Sequence, residues 1–79
     1  METRLAVMSL IVRSKESVNA INELLHENGE YIIGRMGIPY KERYINLISV
    51  ALDAPQDKIS AISGKIGNLE NVEVKTAFA

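Results

Sequence analysis

Arg13, Ser14, Lys15 and Ser17 bring cations and hydroxyls together at a point where a helix is expected to start. Free N–H groups of a first helical turn attract anions, and basic side chains beside them strengthen the attraction, so these residues form the candidate anion or ligand site. Simple capping explains the same residues: Ser14 can accept from a first-turn N–H, and Glu16 faces the positive helix end. Arg35, Lys41 and Arg43 lie close in sequence to Tyr31, Tyr40 and Tyr44, a mixture able to hold phosphate and stack bases. Glu30 and Glu42 dilute that charge, which favours ion pairing across a hairpin or between subunits over nucleic-acid contact. His26 is the sole imidazole, placed near a helix C-terminus where a cation suits the dipole. A metal centre needs several ligands at a recognisable spacing, and nothing in the sequence partners His26. Gly34-Arg35-Met36-Gly37 and Gly64-Lys65-Ile66-Gly67 resemble phosphate loops only in composition, because one falls in a strand and the other at a helix end, whereas phosphate cradles open a helix. There is no nucleophile beside a base and no pair of carboxylates in an apolar pocket. No catalytic residue, metal or cofactor is therefore expected, and the chain reads as a non-enzyme.

The elements that would position these residues belong to one small domain. At 79 residues, spanning 1–79, it is near the lower limit for a self-sufficient core, so help from a partner subunit is expected. A composition 47% hydrophobic and 24% charged is that of a globular protein. Nine basic against ten acidic side chains leave a net charge of −1, which gives no general attraction to nucleic acid or anionic lipid and permits self-association. The absence of cysteine removes disulfides and thiolate metal sites and suits a reducing interior. The apolar run Leu5 to Val12 is too short to cross a bilayer and no cleavage site follows it, so a cytoplasmic protein without membrane attachment is expected.

That apolar run predicts a first strand. Val18, Ile21, Leu24 and Leu25 then recur at helical spacing, and Asn28-Gly29 is expected to end the helix with Gly29 left-handed. Glu30 to Met36 predicts a second strand, with Tyr31, Ile33 and Arg35 on one face and Ile32, Gly34 and Met36 on the other. Gly34 and Gly37 suggest a bulge, and Gly37-Ile38-Pro39-Tyr40 a turn. Tyr44 to Asp53 predicts a third strand. A second helix is capped by Asp53 or Ala54 with Pro55 in its first turn; it turns Ile59, Ile62 and Ile66 inward, with Ala61 and Gly64 permitting close approach. Asn71 to Ala77 alternates as a half-buried strand. The order βαββαβ predicts an α+β, ferredoxin-like fold, an antiparallel sheet with both helices on one face.

In that topology the first and third strands are central and apolar on both sides. Leu5, Val7, Ile11, Ile45, Leu47 and Ala51 are assigned to the face the helices do not cover, where they predict an interface with another copy of the chain.

Leu25-His26-Glu27 and Tyr31-Ile32-Ile33-Gly34-Arg35-Met36-Gly37, with Asp53-Ala54-Pro55 and Ile62-Ser63-Gly64-Lys65-Ile66-Gly67, make the chain resemble a family of small bacterial proteins known as iron-only hydrogenase system regulators. The family is in turn similar to the ligand-binding, ACT-type half of nickel-responsive ribbon-helix-helix repressors. The resemblance implies a regulatory or sensor role, with transcription as its object, and a homo-dimer or homo-tetramer. The alternative it implies is an ACT-like domain that binds a small metabolite or anion at a subunit interface. The 79 residues contain no ribbon-helix-helix and no counterpart of the later His and Cys ligands of the nickel proteins, so no ligand carries over. Direct DNA binding by this chain alone is not expected; a protein partner would supply it.

Overall fold

A computed structural model describes residues 2–79. The elements are β1 (Arg4–Val12), α1 (Lys15–Glu27), β2 (Ile32–Tyr40), β3 (Ile45–Ala54), α2 (Gln56–Gly67) and β4 (Val72–Phe78), with 3-10 turns at Gly29–Tyr31 and Lys41–Arg43. The strands form a 4-stranded sheet in the order β2-β3-β1-β4, antiparallel throughout. With both helices on one face, this is the ferredoxin-like βαββαβ arrangement. Among the described residues no helix is long and apolar enough to cross a membrane.

Alternation along the central strands builds the core. Ala6, Met8, Leu10 and Val12 of β1 pair with Leu52, Val50, Ile48 and Asn46 of β3, and every apolar member of the set is buried beneath the helices. Ile21 and Leu25 of α1 and Ile59, Ile62 and Ile66 of α2 close the cluster from above. Their helical spacing puts each set on one stripe.

Helix ends follow local chemistry. The Ser14 hydroxyl accepts from the Ser17 N–H at 3.3 Å, and Glu16 lies in the first turn of α1. At the other end the Asn28 side chain donates to the Leu24 carbonyl at 2.9 Å and its own N–H reaches the same carbonyl at 3.2 Å. Gly29 is not left-handed, since no glycine has a positive φ; Asn28 satisfies the last carbonyls and the chain tightens into a 3-10 turn instead. Pro55 is itself the N-cap of α2, its carbonyl accepting from Lys58 and Ile59, because pairing with β1 holds β3 extended through Ala54. Ala61 and Gly64 face outward. The close helix-to-sheet approach is at Gly67, where an added Cβ would lie 3.4 Å from Val74 Cγ1.

The second strand departs most from expectation. Glu30 and Tyr31 belong to a 3-10 turn, and β2 runs on through Pro39 to Tyr40, so the expected turn at Gly37 to Tyr40 is strand. β2 is an edge strand, where a missing N–H can face solvent and proline is tolerated. The chain turns at Lys41–Arg43 and is closed by Tyr44 at φ 55. A bulge between Ile32 and Gly34 breaks the alternation. Ile32 pairs with buried Leu52 and packs on the core, while Gly34 pairs with Ala51 on the outer face, so two residues expected to share a face lie on opposite ones.

Candidate functional site

The crossover from β1 to β2 carries the chain back over the sheet, so the end of β1, the start of α1 and the β2–β3 turn all meet at one end of the molecule. There Arg13, Ser14 and Lys15 face Tyr40, Lys41, Tyr44 and Asn46 across an open groove of about 610 Å3. Arg13 is partly neutralised, its Nη1 lying 3.4 Å from Glu73 Oε2, an exposed pair that contributes little to stability. Lys15 and Lys41 form no ion pair among the described residues.

Ser17, the remaining member of the candidate anion set, does not face the groove. It is buried, and its hydroxyl donates to the Glu70 carbonyl at 2.6 Å, tying the first turn of α1 to the turn before β4. Ser17→Ala leaves that carbonyl without its partner, and we expect a loss of about 1–2 kcal/mol in urea unfolding. An unchanged midpoint would show that water replaces the hydroxyl at no cost.

The expected basic and aromatic cluster is divided. Arg35 turns toward α1, its Nη2 donating to Asn22 Oδ1 at 2.7 Å, rather than toward Lys41 and Arg43. Tyr31 packs on the core, whereas Tyr40 and Tyr44 line the groove. His26 is exposed in the last turn of α1, and among the described residues no cluster of three or more His, Cys, Asp or Glu side chains could hold a metal ion.

The other feature is the uncovered face of the sheet. Cross-strand pairs Val7 with Ala51, Ile11 with Leu47 and Ser9 with Ser49 lie on it, and Leu5 and Ile45 extend it to either end. All six residues assigned to this face from the sequence are therefore on it: Leu5, Val7, Ile11, Ile45, Leu47 and Ala51. Met36 and Ile38 of β2, at 60% and 50% exposed, pair with Ser49 and Leu47 and widen the apolar area, as does Ile33 in the bulge at 63%. Ile33 and Met36 fall in the expected second strand, but the bulge hides which face they take, and Ile38 falls in the expected turn, so the sequence alone does not assign the three to this face. The groove partners Tyr40, Lys41, Tyr44 and Asn46 could have been found, since the βαββαβ order itself brings the hairpin tip beside the first helix.

The chain matches, over residues 4–76, the protein family described as "TM1266-like: Iron-only hydrogenase system regulator, putative". Among solved structures it is similar to that of the uncharacterized protein TM1266 from Thermotoga maritima, with a TM-score of 0.93 and 35% sequence identity over 98% of this chain and 98% of that one. No curated protein matches the chain.

Proposed function

The chain belongs to the TM1266-like family, and from that premise we propose that it is a non-enzymatic regulatory module of an iron-only hydrogenase system, working as a homo-oligomer that acts on transcription through a protein partner. The observation that carries self-association is the apolar outer face of the sheet, which holds Leu5, Val7, Ile38 and Leu47 at 37–52% exposed. An antiparallel sheet with helices on one side presents a polar opposite face when it stands alone, and this one does not. A net charge of −1 favours a partner over direct DNA contact. The test is to delete the gene in its own host and follow hydrogenase transcript and activity. A change in either is expected, and unchanged levels of both would refute the regulatory role. A sequence-specific mobility shift by pure protein at physiological salt would refute the partner.

The groove favours a second function, binding of a small anionic metabolite by Lys15, Lys41 and Arg13. Tyr40 and Ile45 belong both to the groove and to the outer sheet face, so the site would sit at the rim of a subunit interface. Anything that binds the native state raises its stability, by about 2.7 kcal/mol at a hundredfold excess over Kd. A melting-temperature rise with an anionic metabolite that disappears in Lys15→Ala/Lys41→Ala is expected. A rise that survives both substitutions would place the ligand elsewhere.

A further inference from the structure

The outer face is uneven along its strands. One cross-strand row, Ala77, Val7, Ala51 and Gly34, is mostly small residues, and its first three members, with Leu5 and Ile33 as walls, line an apolar hollow of about 420 Å3. Two residues further along every strand comes a row containing Ser9 and Ser49. Two residues beyond that, Ile11, Leu47 and Ile38 stand side by side as a ridge. Hollow and ridge thus lie at equal distances on either side of the serine row.

We propose that two copies pack face to face about a two-fold axis that runs across the strands at the Ser9–Ser49 row, seating the Leu47 ridge of each copy in the Ala51 hollow of the other. This rests on the self-association proposed above and adds its geometry. A two-fold interface must be self-complementary, and this face supplies both the projection and the depression that such an interface needs. Its extent is adequate for a second copy: strands about 4.8 Å apart with about 3.3 Å per residue make a face of roughly 19 by 30 Å, on the scale of the ~800 Å2 a side in stable pairs.

An axis running along the strands fits less well. It would stack hollow on hollow and ridge on ridge, leaving an apolar void unfilled. Charge does not choose between the axes, because Arg13 at the ridge end is already paired with Glu73, which lies beside Ile11 in the ridge row. Lys75 pairs with Ser9 in the axis row, but on the edge strand its stem carries the ammonium out to solvent.

The test is a mutant cycle of Leu47→Ala, Ala51→Leu and the double variant, read as dimer dissociation constants by sedimentation, with circular dichroism as the check on folding. Within one chain the two positions are about 13 Å apart on one strand, beyond the distance at which substitutions usually couple. The first variant removes the knob and the second fills its socket, so each should weaken the dimer by about tenfold or more, since each change acts twice. The double variant exchanges knob and socket and should bind within about threefold of the parent, a coupling that sites so far apart in one chain do not show. Additive losses, or a dimer tightened by Ala51→Leu alone, would overturn the axis while leaving self-association in place. A parent protein that stays monomeric would overturn both. Should a cycle member fail to fold, Asp53→Cys carrying a nitroxide gives a second measurement in a chain without other cysteines. Sheets about 10 Å apart put the two labels roughly 25–30 Å apart across the proposed axis, against less than about 15 Å for an axis along the strands. The shorter distance would overturn the proposal.

Discussion

Leu47→Glu is expected to convert the proposed homo-oligomer into folded monomers. Leu47 lies on central strand β3, on the face away from the helices, and is 37% exposed in the single chain, so a glutamate there can remain hydrated when the chain is alone. Inside a face-to-face pair the same carboxylate would sit among Ile11 and Ile38 with nothing to pair with, once in each copy. Burying an unpaired charge costs several kcal/mol even after relaxation, enough to outweigh most of what an apolar interface of this extent contributes. Light scattering should fall to the monomer mass. The melting temperature, which for a coupled assembly rises with protein concentration, should drop and become independent of it. For a domain of this size, whose whole stability is on the order of 4–12 kcal/mol, losing the interface could also expose it to unfolding, so circular dichroism must accompany the mass. A well-folded variant of unchanged oligomeric mass would sink the idea.

The legibility of this fold in its sequence was set by which strands are central. β1 and β3 are long, regular and apolar on both sides, so their alternation gives faces as well as positions: the set Ala6, Met8, Leu10, Val12, Ile48, Val50 and Leu52 is buried as the period of two requires. β2 failed on the same test because it is an edge strand. Its glycines, its proline and its bulge are tolerated there for want of a second neighbour, and each of them erases the alternation by which a strand is recognised. The bulge at Ile33 is a one-residue insertion, and only pairing with β3 reveals which residues change face.

Site residues divide in a similar way. Arg13, Ser14 and Lys15 were legible as a group because helix starts have a local signature. Ser17 faces away from them, and nothing local tells a hydroxyl aimed at solvent from one committed to Glu70, 53 positions further along the chain. Arg35 illustrates the opposite case: it lies close to Lys41 and Arg43 in sequence, yet strand geometry separates it from the hairpin tip by about 20 Å of extended chain. Proximity in sequence is a poor guide along a strand and a good one around a helix cap.

The last prediction sets one chemical change at two places. Ile21→Ala removes a fully buried side chain from the centre of α1, where it packs in the cluster formed with the inner residues of β1, β3 and α2. Ile33→Ala removes the same atoms from the bulge of β2, where the side chain is 63% exposed. The first change forfeits burial and leaves a cavity that the sheet beneath cannot collapse to fill, a loss of about 2–5 kcal/mol. The second should cost the isolated domain less than about 0.5 kcal/mol, as exposed substitutions generally do. Association would confuse the comparison, since Ile33 walls the outer hollow and contributes to any pairing there. Both changes are therefore made in the Leu47→Glu background and measured by urea unfolding, so that only the stability of the monomer is read. Ile21→Ala should consume a large part of that stability, leaving a chain that is partly unfolded without denaturant, while Ile33→Ala superposes on its parent. Equal losses at the two positions would mean that the bulge is packed in solution as tightly as the core, and that the outer face is covered by something other than a second copy.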